Sequence, residues 1–413
     1  MTTGELAIWL DGTQVAVVSR IRNRLRMSYT IDALERFPLG TPLLSLSMPL
    51  TDEPYPQGLV SAFLDGLLPE GESRRVIARD FGLPENDTFG LIRALGRDCA
   101  GALVIQPVDD PPPPFATTVT AELLTDDEIA GLVANLRSAP LGVGGRVRIS
   151  LAGVQEKLLL TRMPDGRWGR PVDGTPSTHI LKPEVAAYPH TVENEAFCMR
   201  MAQRLGIVAA GIETIVIGGR KLIVVERYDR SVDPDGRVHR FHQEDFCQAI
   251  GVPPSRKYQE DGGPSLRQMA GIVQAVASFA SVEALLRIVA LNIVLGNGDA
   301  HAKNFSLVYD SPGRLRLAPA YDLMSTLAYG DSRLAMYIDN VRRMDRVTAD
   351  RIVNEAVGWG MSRLRATDII DQLIDAVPSA IEWAADETPG FPERFRRCIA
   401  DQLSHLQRGR REI

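Results

Sequence analysis

A short polar segment in the second half of the chain holds residue types that suit chemistry at a phosphate group. In residues 296–304, Asp299 and Asn304 are five positions apart and follow an apolar stretch directly. An aspartate can accept the proton of a hydroxyl, and an amide oxygen can bind Mg²⁺. Burying so many polar groups without a task would cost free energy. We therefore predict that Asp299 is a general base and that Asn304 holds a metal ion, and the alternative is a polar loop that only caps a helix.

Two further charged residues complete the minimum set for phosphoryl transfer from ATP. Lys182 lies upstream in an apolar stretch, and Asp322 lies downstream. The order Lys, Asp, Asn, Asp and the five-residue offset between Asp299 and Asn304 are those of protein kinases. We predict that Lys182 binds the ATP phosphates and that Asp322 bridges them through Mg²⁺. Taken singly, Lys182 also fits an edge strand facing solvent, and Asp322 also fits a helix N-cap.

The partners of these residues are less sharply indicated by the sequence. A kinase holds its phosphate-binding lysine with a carboxylate. The helix predicted after Lys182 offers Glu193 and Glu195, of which Glu195 is preferred. A zinc site built from His301 and the carboxylates is an alternative, but a single histidine is weak support for zinc.

Two segments between predicted strands are candidates for contacts with the nucleotide. Residues 152–157 form a small-residue turn, whose backbone N–H groups can face phosphate oxygens. The turn matches neither a Walker A loop nor the glycine-rich kinase motif, so an ordinary hairpin is the alternative. Residues 226–228 end a strand at the position where a kinase hinge binds adenine through its backbone. The alternative for this segment is a strand end with surface charges.

The size and composition of the chain are those of a globular protein. A length of 413 residues predicts two or three domains, and 45% hydrophobic with 24% charged residues is ordinary. A net charge of −6 argues against a protein whose main task is to wrap nucleic acid. The N-terminus does not resemble a signal peptide, and no apolar run approaches the roughly 18 residues that span a bilayer. Scattered cysteines without a CxxC pair predict reduced thiols in a cytoplasmic protein, namely Cys99, Cys198, Cys247 and Cys398.

Local turn and helix signals divide the chain. Asp11-Gly12 between apolar residues 6–10 and 15–18 predicts a β-hairpin, and the four prolines at 111–114 predict a boundary. Acidic residues after Thr125 predict a helix start. The other predicted helices cover residues 58–67, 72–80, 192–205 and 282–295. The other predicted strands cover residues 147–150, 157–161, 179–182, 214–218, 221–226 and 315–317.

These elements predict an α+β fold. A strand-rich lobe precedes a region that is mostly helical from about residue 240, and a small α/β subdomain comes first. The predicted units are residues 1–108 (N-terminal subdomain), 109–139 (proline-rich linker and connecting helix), 140–235 (strand-rich lobe) and 236–413 (helical lobe).

Several segments together make the chain resemble the HipA family, the serine/threonine kinase toxins of bacterial type II toxin–antitoxin modules. The resemblance covers nearly the whole chain, and its most specific segments are residues 257–264 and 298–306. The other matching segments are residues 67–70, 96–102, 148–150, 152–157, 178–182, 192–195, 225–230 and 243–245. The resemblance implies a bilobal protein-kinase-like core, with a β-rich N-lobe and a mostly helical C-lobe, behind a small N-terminal subdomain.

The resemblance also assigns roles to particular residues. It implies that Asp299 is the catalytic base, that Asn304 and Asp322 hold Mg²⁺, and that Ser150 is an autophosphorylation site. A phosphate on Ser150 would add nearly two negative charges beside the phosphate-binding loop and eject it. A strand hydroxyl bonded to a neighbouring backbone group is the alternative for Ser150. The implied ATP contacts are Ala152, Gly153, Val154, Gln155, Glu156, Lys157, Lys182, Glu226, Arg227, Tyr228, His301, Ala302, Lys303, Asn304, Tyr321 and Asp322.

The family also implies partners. The protein substrate would be an aminoacyl-tRNA synthetase such as glutamyl-tRNA synthetase, whose phosphorylation arrests translation and growth. A HipB-like antitoxin with a helix-turn-helix would neutralise the kinase and make most contacts with operator DNA, as the net charge of −6 favours. Two other hypotheses stay open at this point: a catalytically weak co-repressor that acts as a binding module, and a kinase for a small molecule or lipid.

Overall fold

The computed structural model describes residues 4–22, 24–113, 117–118, 121–143, 147–172 and 174–409. Its strands are β1 (Gly4–Leu10), β2 (Thr13–Ile21), β3 (Arg24–Tyr29), β4 (Val104–Pro107), β5 (Thr117–Thr118), β6 (Ala121–Leu123), β7 (Leu158–Arg162), β8 (Trp168–Pro171), β9 (His179–Pro183), β10 (Ile212–Ile217), β11 (Arg220–Glu226), β12 (Arg230–Val232), β13 (Arg237–Arg240), β14 (Gln243–Asp245), β15 (Ser306–Ser311), β16 (Arg314–Leu317), β17 (Arg333–Ile338) and β18 (Val341–Arg343).

The helices of the described residues are α1 (Ile31–Arg36), α2 (Gln57–Leu67), α3 (Gly71–Asp80), α4 (Thr88–Leu95), α5 (Asp126–Ala134), α6 (Thr191–Arg204), α7 (Phe246–Ile250), α8 (Leu266–Val276), α9 (Phe279–Leu295), α10 (Ala349–Gly358), α11 (Arg363–Glu387) and α12 (Glu393–Gly409). The three longest of these helices, α9, α11 and α12, lie in the second half of the chain. Short 3₁₀ turns add Pro254–Arg256, Gln259–Asp261, Ala302–Asn304, Leu327–Tyr329 and Met344–Arg346. Among the residues with described positions, no helix combines the length and the apolar character needed to cross a membrane.

The chain forms two compact units, which we describe separately. The first unit contains Met1–Pro183, Ile215–Ser255 and Val308–Gly313, and the second contains Glu184–Thr214, Arg256–Leu307 and Arg314–Ile413. The domain boundaries predicted at residues 108, 139 and 235 stay predictions. Parts of the segments on which they depend, including Pro114 and the N-terminal residues 1–3, lie outside the described residues.

The hairpin at the start of the first unit follows from two residues. Asp11 and Gly12 have φ angles of 49° and 73°, and Leu10 pairs with Thr13 across them. Two successive positive φ angles make the tight turn whose twist matches that of antiparallel strands. The predicted hairpin is therefore confirmed, and it belongs to a sheet with the order β3-β2-β1-β4. The buried face of this sheet packs against α2 and α4 through residues such as Leu6, Ile8, Phe63, Leu64 and Ile92.

The second sheet of this unit carries two of the predicted site segments. Its order is β10-β11-β9-β7-β8-β6, and residues 215–217 of β10 belong to this unit. Leu158, Leu181 and Val224 are buried against α5. This helix begins where predicted, because the side chains of Thr125 and Glu128 cap each other's backbone N–H groups.

A buried ion cluster joins distant segments of the first unit. Asp98 accepts a hydrogen bond from Arg230 at 2.9 Å, and Asp229 forms an ion pair with Arg227 at 2.8 Å. Arg240 also lies beside Asp98, with a closest nitrogen–oxygen distance of 4.0 Å. Burial alone would raise the pKa of Asp98, but the three guanidinium groups hold it below its ordinary value. The cluster thus fixes the segment before β4 against the segments that follow β11.

The second unit is mainly helical. Helix α9 is buried along most of its length and packs against α8, α11 and α12, while α6 packs against α11. Phe197 of α6 stacks on Phe391 with ring centroids 3.8 Å apart. Helix α9 ends at Leu295 because Gly296 adopts the left-handed conformation, with a φ of 69°. The end of α9 therefore delivers the chain directly into the polar segment 296–304.

Two predictions of local structure need correction, although the α+β fold class is confirmed. Residues 147–150 are not a strand: Ile149 makes only an isolated bridge with Asp98, since the backbone N–H of Ser150 bonds to the Asp98 carbonyl. Besides β16, which matches the strand predicted at residues 315–317, the region after residue 240 contains β14, β15, β17 and β18, so it is less uniformly helical than predicted. The strands β14 and β18 have only three residues each, too few to show an alternating pattern in the sequence.

A buried glutamate gives the first unit a predicted pH dependence. Glu244 accepts hydrogen bonds from the Ser45 hydroxyl at 2.6 Å, the Tyr309 hydroxyl at 2.6 Å and the Leu46 N–H at 2.9 Å. Burial outweighs these bonds and raises the pKa of Glu244 from 4.5 to about 7. A raised folded-state pKa gives stability that is present below pH 4.5 and is lost as the pH rises through 7.

We therefore expect the Glu244→Gln variant to gain stability relative to the wild type as the pH rises from 5 to 8, by up to about 3 kcal/mol. Urea unfolding of both proteins at several pH values would measure the difference. The exposed Glu382, changed to Gln, is the matched control for loss of a carboxylate. A wild-type-minus-variant difference that does not change with pH would show that Glu244 stays ionised in the fold.

Candidate active site

The loop after α9 places Asp299 by a chain of hydrogen bonds from asparagine side chains. The Asn297 amide donates to Asn292 at 2.7 Å, and its Oδ1 accepts the backbone N–H of Asp299 at 3.2 Å. Both asparagines are buried. A buried polar pair of this kind fixes the loop to the last turn of α9, because each broken bond would leave a buried group without its partner.

The Asp299 carboxylate is poised to accept a proton. Its Oδ1 accepts a hydrogen bond from the Tyr258 hydroxyl at 2.9 Å. Burial raises the pKa of Asp299, the negative charge of Asp322 raises it further, and the Tyr258 bond and Lys257 lower it. A carboxylate with a raised pKa is a stronger base than an ordinary one. The Tyr258 bond uses one of the acceptor sites of the carboxylate, which has further sites to receive the proton of an incoming hydroxyl.

Asn304 lies one turn from Asp299, as the five-residue offset predicted. The backbone N–H of His301 donates to the Asp299 carbonyl at 2.8 Å, and the Asn304 side-chain nitrogen donates to the same carbonyl at 3.3 Å. With its nitrogen engaged, Asn304 has its side-chain oxygen available as a ligand. His301 is buried, and its ring lies edge-on to Tyr258 with centroids 5.4 Å apart. Ala302 and Lys303 are buried as well.

The segment that carries Asp322 is held by its neighbour. The Tyr321 hydroxyl donates to the Lys303 carbonyl at 2.7 Å and also contacts the Ser306 hydroxyl at 2.7 Å. Asp322 has a φ of 58°, which is uncommon for a residue with a side chain and is found most often at functional sites. The next helical turn, Leu327–Tyr329, is preceded by Thr326. The helix N-cap alternative for Asp322 is therefore wrong.

The donor set in the second unit suits Mg²⁺. The negative charge of Asp322 raises the pKa of Asp299, and a bound divalent cation would relieve that repulsion. With the amide oxygen of Asn304 the two carboxylates form an all-oxygen set, which hard cations prefer. A different group, Glu184, His190 and Glu193, has ligand atoms within 4.8 Å of one another, but it does not include His301. This group therefore does not support the alternative of a zinc site at His301.

The predicted phosphate-binding loop lies in the first unit and is tightly folded. Lys157 donates through Nζ to the Ala152 carbonyl at 2.6 Å, and the Glu70 N–H donates to the Gly153 carbonyl at 3.2 Å. Gly153 has a φ of 113°, and a Cβ atom there would lie 2.6 Å from Lys157 Nζ, so glycine is required. Val154 is exposed and Gln155 is half-buried. Glu156 forms an exposed ion pair with Arg137 at 2.9 Å.

Ser150 is fully buried beside this loop. Its hydroxyl donates to the Leu67 carbonyl at 2.6 Å, and its N–H donates to the Asp98 carbonyl at 2.9 Å. The structure thus shows the hydroxyl in the backbone-bonded state that we gave as the alternative. Phosphorylation of Ser150 would require this segment to leave its position.

The remaining predicted contacts of the first unit lie on β9 and at the end of β11. Lys182 is buried on β9 opposite Ile223 of β11, so it is not an edge-strand lysine facing solvent. Glu226 is exposed, and the Tyr228 hydroxyl donates to Gln243 at 2.8 Å. Glu195, the predicted partner of Lys182, is a buried residue of the second unit, and this pairing stays a prediction.

Arg227 requires a correction. Its guanidinium group is buried and bonds to Asp229, Ser177 and the Cys99 carbonyl, while its backbone N–H donates to the Thr178 carbonyl at 2.9 Å. Neither its side chain nor its N–H is available to a nucleotide. We therefore count Arg227 as part of the ion cluster and leave it out of the proposed ATP contacts.

Sequence reasoning missed the residues that hold the site from a distance. Tyr258 bonds to Asp299 from 41 positions away, and Thr326 bonds to the loop from 28 positions away. Tyr258 lies in the specific segment 257–264, which offered a signal, but nothing in the segment indicated its partner.

Comparison with known proteins identifies the relatives of this chain. Residues 6–106 match the family model described as the HipA N-terminal domain, and residues 149–381 match the HipA-like C-terminal domain. The chain belongs to the HipA family. A HipA relative, the serine/threonine-protein kinase toxin HipA of Shewanella oneidensis, is 32% identical over 381 residues, which cover 88% of this chain and 86% of the relative. Another, Y4mE of Sinorhizobium fredii, is 39% identical over 398 residues, which cover 94% of each protein.

A solved HipA structure confirms the predicted fold. It comes from the complex of HipA, HipB and operator DNA of Shewanella oneidensis, and it superposes with a TM-score of 0.83 at 28% identity. The alignment covers 98% of this chain and 97% of the HipA chain. The predicted resemblance to HipA thus holds for the N-terminal region and for the kinase-like core.

Proposed function

We propose that this protein is an ATP- and Mg²⁺-dependent serine/threonine protein kinase toxin. The observation that carries the proposal is the arrangement around Asp299: a carboxylate with a raised pKa, oriented by Tyr258, within reach of the charge of Asp322 and one turn from Asn304. A general base beside two oxygen ligands for a metal ion is the constellation that phosphoryl transfer requires.

The residues have distinct roles in the proposed reaction. Lys182 and the backbone of residues 152–157 bind the ATP phosphates, and Glu226 and Tyr228 belong to the segment that binds adenine. Asp299 accepts the proton of the substrate hydroxyl as the hydroxyl oxygen bonds to the γ-phosphorus and ADP leaves. Asn304 and Asp322 hold Mg²⁺, which neutralises charge on the phosphates when it is bound. His301, Ala302, Lys303 and Tyr321 shape the loop around these groups.

Ser150 is the proposed site of self-inactivation. Its hydroxyl lies 2.6 Å from the Leu67 carbonyl oxygen in a fully buried position. A phosphate there would place nearly two negative charges against a carbonyl without solvent to screen them, so the phosphorylated segment must move out. Residues 152–157 follow directly in the chain and would lose their docking on Glu70.

The proposed partners follow from the family. The HipA relative of known structure was solved in a complex with HipB and operator DNA, and we propose a HipB-like helix-turn-helix antitoxin for this chain too. The net charge of −6 favours contact with DNA mainly through that antitoxin. The proposed substrate is an aminoacyl-tRNA synthetase such as glutamyl-tRNA synthetase. The proposed location of the kinase is the cytoplasm, where phosphorylation of the synthetase would arrest growth.

Incubation of the purified protein with radiolabelled ATP and Mg²⁺ tests the proposal. We expect label on the wild-type protein at Ser150, and none at that position in Ser150→Ala. The Lys182→Met variant should label at least about tenfold more slowly, since it lacks the cation that binds the phosphates. Candidate synthetases from the same organism would be added with the Ser150→Ala variant, which cannot inactivate itself.

The outcomes separate the hypotheses. A wild-type protein that binds ATP and labels neither itself nor a synthetase would contradict the kinase proposal and favour the co-repressor that acts as a binding module. Label transferred only to small molecules or lipids in a cell extract would favour a kinase for a small molecule or lipid.

A further inference from the structure

Ser325 and Thr326, which follow Asp322 in the chain, hydrogen-bond to two different segments of the second unit. Ser325 is fully buried, its N–H donates to Oδ1 of Asn194 at 2.9 Å, and its carbonyl accepts from Nδ2 of Asn194 at 3.1 Å. Asn194 lies on α6 and is itself fully buried. A side-chain amide that satisfies both backbone groups of one residue fixes its position and orientation, because moving either partner would break two buried bonds.

The next residue binds the other side of the site. The Thr326 hydroxyl accepts the N–H of Gly298 at 2.7 Å and lies 3.3 Å from the Gly296 carbonyl, to which it donates. The N–H of Leu327 donates to the same carbonyl at 2.9 Å. Thr326 therefore connects the segment after Asp322 to the two residues on either side of Asn297, in the loop that carries Asp299.

This link opposes a force that the site itself creates. The negative charge of Asp322 acts on Asp299, and this like-charge repulsion drives their two segments apart when no cation is bound. Asp322 also holds a left-handed conformation, which persists only where the surroundings enforce it. Gly298 packs closely against the backbone of Arg333: a Cβ atom on Gly298 would lie 2.2 Å from the Arg333 carbonyl oxygen, so no side chain fits there.

We propose that Asn194 and Thr326 are positioning residues that set the separation of the Asp322 and Asp299 segments before the metal ion binds. Asn194 holds the Asp322 segment to α6, and Thr326 holds it to the Asp299 loop. The inference rests on the proposed role of Asp322 in binding Mg²⁺. It adds a cause for metal affinity that lies outside the proposed metal ligands, in residues that bond to the backbone of the segments carrying them.

The test compares Thr326→Val with Thr326→Ser in the full-length protein. Valine keeps the shape of threonine and removes both hydrogen bonds, whereas serine keeps the hydroxyl. Thr388→Val is the matched control, because Thr388 is also buried in the second unit and its hydroxyl accepts a hydrogen bond from Arg200, away from the Asp299 loop. Binding of Mn²⁺ in the presence of a non-hydrolysable ATP analogue, followed by electron paramagnetic resonance, reports on the site without any catalytic turnover.

We expect Thr326→Val to weaken Mn²⁺ binding by roughly 10- to 100-fold, the usual effect of losing a group that orients metal ligands. Thr326→Ser should restore binding to within about threefold of the wild type, and Thr388→Val should leave it unchanged. Asn194→Ala should weaken binding in the same direction. If Asn194→Ala does not fold, the Mn²⁺ affinity of Thr326→Val alone tests the inference.

The result that overturns the inference is Mn²⁺ binding by Thr326→Val equal to that of the wild type. Equal weakening in Thr326→Val and Thr388→Val would also overturn it, because the effect would then be a general loss of stability. A wild-type protein that binds Mn²⁺ and nucleotide but transfers no phosphate would instead contradict the proposed kinase activity and leave the positioning role measurable. Absence of Mn²⁺ binding in the wild type would overturn the positioning role.

Discussion

The Asp299→Asn variant is expected to transfer phosphate about 10²- to 10⁴-fold more slowly than the wild type, the range typical for loss of a general base. Asparagine has the same shape and can still accept the Tyr258 hydrogen bond, so the loop keeps its geometry. The free energy of unfolding should stay equal or rise, because the substitution removes a carboxylate that the charge of Asp322 repels. Single-turnover transfer to the substrate would give the rate, and thermal unfolding would give the stability.

The matched control is Asp331→Asn. Asp331 also contributes negative charge near Asp299, but it is half-exposed and paired with Arg333 at 3.4 Å. Its substitution should leave the transfer rate within about twofold of the wild type, as expected for an exposed charge in high dielectric. If Asp299→Asn keeps more than half of the wild-type rate, Asp299 is not the base. A loss of rate together with a loss of stability would show a structural role for Asp299 instead.

The Asp98→Asn variant is expected to destabilise the first unit by about 3–5 kcal/mol, the cost of removing one partner from a buried ion network. The substitution leaves Arg227, Arg230 and Arg240 with Asp229 as the remaining carboxylate of the cluster. Asparagine cannot offer two acceptor oxygens to Arg230 and Ser177, so buried donors lose their partners as well.

Urea unfolding followed by tryptophan fluorescence would measure this loss, since Trp9 and Trp168 both lie in the first unit. The exposed Asp235→Asn is the control and should change stability by no more than about 0.5 kcal/mol. The pKa of Asp98 is lowered in the fold, so its contribution is present above the unfolded pKa and fades as the pH falls. A difference between wild type and Asp98→Asn that persists unchanged at pH 3 would contradict the electrostatic explanation.

Local chemistry explains which features the sequence predicts well. The hairpin needs only Asp11-Gly12, the start of α5 needs only Thr125 and Glu128, and the Asn304 position needs only a fixed offset from Asp299. Each of these signals lies within five residues of the structure that it predicts. The fold class follows from the same kind of signal summed over many elements.

The features that the sequence does not predict depend on contacts between distant residues. Asn194 meets Ser325 across 131 positions, and Tyr258 meets Asp299 across 41. Such pairs leave no periodic pattern, because each residue satisfies its partner only after the chain has folded. For Arg227, the sequence suggested a role that the distant contacts of the folded chain exclude. Its position at a strand end fits a hinge, and only the folded structure shows that Asp229 and Ser177 use its guanidinium group.

The buried ion cluster also has a consequence for synthesis of the protein on the ribosome. Asp98 and Arg230 are 132 positions apart in the chain. At roughly 5–20 residues per second, Asp98 leaves the ribosome about 7–26 s before Arg230 does. During that interval the nascent N-terminal segment cannot bury Asp98 with its cations, and apolar strands such as β1 and β2 have already emerged. The interval gives molecular chaperones a defined window on the growing chain, and rare codons between the two residues would lengthen it.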